Sequence, residues 1–281
     1  MFGIVPMMAR FAAMLAVAIC AGTDASAQPK RIASFNLCAD QLVVALADPE
    51  RIAGLSPYAA DPDLSVVAGK ARAFPRLGWQ AESTFVLAPD LVLVGPDDRR
   101  ATRRMMTALG LRVVEVALVT DLVAARAQII EIAALLGRPE RGAALVAELD
   151  SAERRLEALP TGAGRSALIV ERGGYVQGPS SLAAALIAKA GLRPPPGAPS
   201  GYGGYVSLEH LLTLRPDVLV VKDPPALATD QGALFFTHPA LARRYPPASR
   251  IALPSRYALC GGPALIAALD YLGATMARRA P

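Results

Sequence analysis

The chain has 281 residues, 53% of them hydrophobic, with only 19% charged and 5% aromatic, which is too apolar and too weakly charged for a disordered protein. Its net charge of +5 comes from 29 basic and 24 acidic residues. Only Lys30, Lys70, Lys189 and Lys222 are lysines, and without a lysine-rich tail or an aromatic-studded basic stripe nothing speaks for nucleic acid as a partner. Three cysteines lacking C-x-x-C spacing and two histidines exclude a zinc-finger or multi-histidine metal site, so no metal and no cofactor is expected.

Arg10 is followed by an uncharged run over 11–22 (FAAMLAVAICAG) and then by Ala25-Ser26-Ala27. A positive start, a short apolar stretch and an A-x-A site read as a secretory signal peptide over 1–27, cleaved after Ala27. Cys20 raises a lipoprotein signal as the alternative, but the residue before it, Ile19, is bulky where such signals want a small one. The mature chain is therefore expected in an oxidising compartment.

Short apolar runs then alternate with helical patterns. Strands are expected at 31–35 (RIASF), 51–55 (RIAGL), 91–94 (LVLV) and 112–116 (RVVEV), with a helix beginning at 40–47 (DQLVVALA). The second half adds strands at 167–170 (ALIV), 218–221 (VLVV) and 250–252 (RIA). Near-continuous apolar strands between helices predict parallel sheets buried on both faces. The segment 97–104 (DDRRATRR) reads as the solvated start of a helix with acids at its beginning, with contact to a membrane surface or an anionic ligand as the alternative.

One unit is repeated. Glu82-Ser-Thr-Phe-Val-Leu-Ala-Pro89-Asp90-Leu-Val-Leu-Val recurs as Glu209-His-Leu-Leu-Thr-Leu-Arg-Pro216-Asp217-Val-Leu-Val-Val. Each copy reads as a helix opened by a glutamate and ended at Pro-Asp, followed by a buried strand. Two α/β lobes of similar construction follow. Between them, 120–160 carries the longest helical pattern, with Thr120 as the expected N-cap and Gly137-Arg138-Pro139 breaking it in two. A helix of about 20 residues rises roughly 30 Å, so the connection is expected to be stiff.

The opening RIASFNLCADQLVVALADPERIAGLSPYA, the doubled E-x6-P-D-strand unit and the long central helix resemble the periplasmic substrate-binding proteins of ATP-driven importers of cobalamin and ferric siderophores. The resemblance covers essentially all of 28–281. It implies an α/β fold: two Rossmann-like lobes with parallel sheets flank a ligand cleft and are joined by one long inter-lobe helix. The expected boundaries are 28–138 for the first lobe, 139–160 for the helix and 161–281 for the second lobe. The implied function is capture of a metal chelate (ferric siderophore, then cobalamin, then haem) and delivery to an inner-membrane ABC permease and its ATPase. No catalysis and a monomeric state are expected.

From the resemblance, Glu82 and Glu209 take the role of permease-docking residues. A carboxylate–guanidinium pair on each lobe would fix orientation; the bland alternative is complementation of the helix dipole. Cleft contacts are expected beyond the carboxyl ends of strands. These are Asn36 and Cys38 after the first strand, Tyr58 after the second, and Arg76 and Trp79 before Glu82. The second lobe adds Tyr202 and Tyr205 in a glycine-rich loop, and Tyr257 and Cys260 before the last helix. Asp40 is as well explained by helix capping. Arg76 stands where cobalamin binders of this type carry a tryptophan, and resembles the hydroxamate-siderophore binders instead.

Cys38 and Cys260 each follow a predicted strand, one per lobe, and three readings stand. They are independent buried small hydrophobes, or a disulfide, which requires Cα atoms within about 7 Å, or ligand contacts as thiols. An exported cysteine hydrolase is the alternative function, and a ligand-free scaffold or sensor on the same fold is another. Against the enzyme, neither His210 nor His238 sits in a promising loop, and there is no G-x-S-x-G elbow.

Overall fold

The computed structural model describes residues 28–159, 164–223, 232 and 234–278. The expected signal peptide and Cys20 lie outside the described residues. The first lobe is built on strands β1 (Ile32–Ser34), β2 (Ile52–Gly54), β3 (Leu91–Val94) and β4 (Val113–Glu115). They pair in the order β2-β1-β3-β4, all parallel. Helices α1 (Leu37–Leu46), α2 (Ala68–Ala71), α3 (Ala81–Phe85) and α4 (Arg100–Ala108) connect them. β1 and β3 are buried along their whole length, which is why they appear in the sequence as unbroken apolar runs.

Two helices follow. α5 (Leu122–Leu135) is capped by Asp121, whose carboxylate accepts from the Ala124 N–H at 2.8 Å, so the cap is one residue later than the expected Thr120. Gly137, at φ 70°, closes it, and Pro139 opens α6 (Pro139–Glu157). The first helix of the chain also differs from expectation. It starts at Leu37, because Asn36 accepts from the N–H groups of Cys38 (2.9 Å) and Ala39 (3.3 Å).

The second lobe holds β5 (Ala167–Val170), β6 (Tyr175–Gln177), β7 (Gly203–Tyr205), β8 (Val218–Lys222) and β9 (Arg250–Leu253) in the order β7-β6-β5-β8-β9. Its helices are α7 (Leu182–Lys189), α8 (Leu208–Leu214), α9 (Leu234–Thr237), α10 (Pro239–Arg244) and α11 (Pro263–Ala277). This sheet is mixed, not parallel as expected. β5, β8 and β9 run parallel, while β6 returns antiparallel to β5 through the short Arg172–Gly174 turn and β7 pairs antiparallel with β6 after the connection through α7.

The repeated unit has a common geometry. Ala88 and Arg215 both turn left-handed (φ 44° and 47°) directly before their prolines, ending α3's turn and α8. The following aspartates then knit strands together. Asp90 accepts from the N–H groups of Lys30 (2.6 Å) and Arg31 (3.0 Å) at the head of β1. Asp217 accepts from the N–H and hydroxyl of Ser166 at the head of β5. Those strand-end donors would otherwise be unpaired.

One apolar core runs through both lobes, joining Leu42 and Leu46 of α1, Ile129 of α5, Leu149 and Leu156 of α6, and Leu265 and Leu269 of α11. Polar links fasten α6 on several sides. Arg126 of α5 pairs with Asp150 (2.7 Å) and Glu153; Lys189 of α7 pairs with Glu153 and Glu157; Arg155 reaches Asp270 of α11 at 2.7 Å. Burial works against the Glu153 carboxylate, but Lys189 and Arg126 together hold it below the usual range. Glu153→Ala leaves two cations facing each other without their shared anion. We expect a loss of about 2 kcal/mol in urea unfolding, against no more than about 0.5 kcal/mol for the exposed pair removed in Arg155→Ala.

Candidate functional site

Ligands of open α/β sheets gather beyond the carboxyl ends of the strands, at the point where strand order reverses. In the first lobe that point lies between β1 and β3. Asn36 follows β1 there, and its amide reaches Asp98, after β3, at 3.5 Å. Asp98 in turn accepts from the Gly95 N–H. A Cβ at Gly95 would strike the Asn36 amide, so this close approach of the two loops requires glycine.

Beside it stands an aromatic patch. Tyr58, in the loop after β2, meets Trp79 with ring centroids 5.1 Å apart, and Trp79 packs edge-on against Phe35 at 5.4 Å. The Arg99 guanidinium lies 4.8 Å from the Trp79 ring centroid, within cation–π range. Tyr58 keeps 47% of its surface exposed. The structure therefore brings together Tyr58 and Trp79, two of the expected contacts, and adds Phe35 and Arg99. Arg99 was legible only as one charge among several at a helix start; nothing in the local pattern marks it as the one that folds back over a ring. Arg76 is exposed and bridges to Leu55 through its backbone.

The second lobe has its own patch at the carboxyl end of β5. Tyr175 opens β6 directly across from Tyr205 of β7, with rings 5.2 Å apart, and its hydroxyl donates to the Tyr202 carbonyl at 3.1 Å. Tyr202 and Tyr205 are 68% and 79% exposed. Behind them Lys222 pairs with Glu171 at 2.9 Å across the ends of β8 and β5. Tyr257 does not join this patch. It stacks on Tyr271 of α11 at 4.8 Å, under the Arg256 guanidinium, and Arg256 crosses to the first lobe to donate to the Pro62 carbonyl.

Cys38 and Cys260 are bonded to each other, with Cα atoms 5.0 Å apart. This overturns their assignment as free thiol contacts and removes the nucleophile of a cysteine hydrolase. The bond ties the start of α1 to the loop before α11 and so draws the carboxyl ends of the two sheets together. Gly262, at φ 61°, fits directly against Leu42 of α1, where a Cβ would collide.

Asp40 is buried one turn into α1. Its carboxylate accepts from the Ser56 N–H (3.1 Å) and hydroxyl (2.6 Å), joining α1 to the loop that carries Tyr58. Burial pushes the carboxyl up to about 7, against the hydrogen bonds from Ser34 and Ser56 that pull it down. Glu82 and Glu209 are both exposed in the first turn of their helices. The Glu209 backbone N–H, Ser207 and then His238 hold the Glu209 carboxylate below its usual range.

A sizeable concavity lies elsewhere. A groove of about 740 Å³ runs between α1, α2, α6 and α11, floored by Val44, Leu145 and Ile266. It flanks the hinge and contains none of the exposed aromatics. Among the described residues no cluster of three metal-ligating side chains occurs, and no helix is long and apolar enough to cross a membrane.

Two sheet-based lobes, a stiff connecting helix and aromatic patches at the carboxyl edges define a two-lobed binding protein. The chain belongs to the periplasmic binding protein family, whose model matches residues 32–246. A periplasmic heme-binding protein from Pseudomonas aeruginosa superposes with a TM-score of 0.72 at 22% identity, over 90% of this chain and 94% of that one. The periplasmic heme-binding protein BhuT, in complex with two hemes, gives 0.67 at 26% identity, over 88% and 99%. An ABC-type Fe3+-hydroxamate transport protein from Saccharomonospora viridis gives 0.67 at 23%, over 88% and 93%. No curated protein sequence matches significantly.

Two outcomes test the site's framework. Because Asp40 holds a proton in the folded state that the unfolded chain has already released, its contribution is complete below about pH 4 and declines as pH rises towards 7. Asp40→Asn should flatten that decline in urea midpoints measured from pH 4 to 7.5. Reduction of the disulfide, which closes a separation of 222 residues, should lower unfolding free energy by up to about 5 kcal/mol, read as a drop in Tm under dithiothreitol that Cys38→Ser reproduces.

Proposed function

We propose that this protein is the receptor of an ABC importer for a flat, negatively charged ferric chelate, with haem ahead of hydroxamate siderophores and cobalamin last. The observation that carries this is the Tyr58–Trp79 ring contact with Arg99 over the tryptophan ring. Trp79 supplies a flat apolar surface for a macrocycle. Arg99 and the exposed Arg76 supply partners for carboxylates. The Tyr58 hydroxyl is an oxygen donor of the kind that ferric haem accepts, and the exposed rings of Tyr202 and Tyr205 offer a facing surface from the second lobe. Cobalamin, with a rim of neutral amides, has no use for the arginines. Two of the superposed proteins are heme binders and the third belongs to a hydroxamate system, in keeping with this order.

Asn36 supports the floor of the cleft, with the Cys38–Cys260 bond at its base. The lobes comprise 28–138 and 161–281 with the helix 139–160 between them, and the chain works as an exported monomer after loss of 1–27. Glu82 and Glu209 dock on the permease, and ligand passes through unchanged.

Trp79 is the sole tryptophan, so its fluorescence reports on the site. Hemin should quench it saturably at micromolar concentration or below, ferric hydroxamates more weakly and cyanocobalamin not at all, with free tryptophan as the inner-filter control. Tyr58→Phe should weaken hemin binding on the order of tenfold and alter its visible spectrum. Quenching by cyanocobalamin alone would reverse the assignment. Glu82→Gln with Glu209→Gln should leave affinity intact and abolish uptake; normal uptake would dismiss the docking role.

A further inference from the structure

The two lobes share a second surface feature, independent of what the cleft holds. α4 turns Met106 into the core and packs beside α3. The face left outside carries Arg100, Ala101, Arg104, Met105, Ala108 and Leu109, which form one continuous half of the helix at 3.6 residues per turn. Met105 and Leu109 are exposed, and so are Phe85 and Val86 at the end of α3, Val86 to 81%. Neighbouring charges are mostly accounted for. Arg103 pairs with the exposed Glu115 at 2.6 Å, Asp98 turns inward onto Gly95, and Asp97 and Glu82 stand as further exposed acids. Arg100 and Arg104 form no ion pair among the described residues.

The second lobe repeats the arrangement. α10, which packs on the Glu209 helix α8, exposes Arg243 and Arg244, the latter over the Tyr245 ring, and α9 exposes Leu234. In each lobe the helical segment after the strand that follows the Pro-Asp turn brings arginines and apolar side chains to the outer surface, next to the helix that opens with glutamate. Neither the core nor the aromatic patches require this.

We propose that these outer faces are contact surfaces for anionic phospholipid headgroups. Guanidinium groups match phosphate oxygens bidentately, and methionine, leucine, valine and phenylalanine side chains between them suit the apolar boundary just below the headgroups. The arginines on each lobe give a weak, salt-sensitive contact with such a surface.

The test is sedimentation of the purified exported protein with vesicles of equal parts phosphatidylglycerol and phosphatidylcholine, against phosphatidylcholine alone. The protein should bind the mixed vesicles, fail to bind the neutral ones, and release as salt rises past the range where charges are screened. Arg100→Gln with Arg104→Gln should cut the partition coefficient on the order of twentyfold, about fivefold per arginine. Lys70→Gln with Arg72→Gln removes the same charge from α2 and should change it little. Equal losses in the two double variants would mean that net charge alone acts, and overturn the proposal. Binding to neither vesicle, or equal binding to both, would overturn it as well. So would a dependence on Arg100 and Arg104 that appears only when the permease is present in a neutral bilayer, which would assign the face to a protein partner.

Discussion

The bond between Cys38 and Cys260 joins the first turn of α1 to the loop leading into α11, with 222 residues of chain between them. A disulfide placed within a lobe would stabilise that lobe and leave the cleft free to open. Placed across the junction, it sets the distance between the two sheet edges at which every candidate contact sits. The remaining junction is built to the same end. Leu42 of α1 lies against Gly262 too closely for any side chain there, and α6 is pinned to α5, α7 and α11 by ion pairs that share Glu153 and reach Asp270. Large hinge-bending is incompatible with that set of contacts, so ligand selection falls to side chains already in position, and preorganised contacts cost little ordering entropy on binding.

The strands buried on both faces stand out most clearly in the sequence. β1, β3, β5 and β8 have no solvent side, so their residues are apolar apart from Ser34 and Lys222 at the strand ends, and the helix breaks at Gly137 and Pro139 follow from backbone geometry alone. β6 and β7 could not be seen, because YVQ is short and half-polar and GGY is short and glycine-rich, and they are brought together only by the fold. For the same reason the second sheet was expected to be parallel. Of the candidate site, Tyr58 and Trp79 were visible as aromatics in loops after strands. Tyr257 looked equivalent in sequence, yet its ring is taken up by Tyr271, fifteen-residue helix α11 having brought a partner that local pattern does not reveal. Pairing of the two cysteines likewise depends on how the lobes meet.

The two aromatic patches differ in what surrounds them, and the difference bears on ligand character. On the first lobe the rings are braced from below by Phe35 and covered from above by a cation, Arg99. On the second, Tyr205 projects from the edge strand β7 beside Tyr175 of β6, and the tyrosines are fixed mainly by each other and by one hydroxyl-to-carbonyl bond. A rigid, charged wall facing a more adaptable one suits a ligand whose anionic groups and metal are read on one side while its bulk is accommodated on the other. The buried acid beside the rigid wall, Asp40, has its carboxyl pushed up to about 7 by burial, so it is only partly ionised around neutral pH and repels an anionic ligand less than a free carboxylate would.

The internal repeat carries two signals that the structure separates. Its Pro-Asp half is architectural: Ala88 and Arg215 take the same left-handed turn, and Asp90 and Asp217 fill the same role at the heads of β1 and β5. That half accounts for the recurrence of the unit by folding alone, so the repetition by itself says nothing about function. Its glutamate half is different. Glu82 and Glu209 sit exposed on short helices and form no ion pair among the described residues. Complementing the dipole of a helix only five or seven residues long is worth a few tenths of a kcal/mol when exposed, too little to explain why the same acid recurs at the same register on both lobes. What the fold does not use, a partner can, and this recurrence is the ground for the docking role proposed for the two carboxylates.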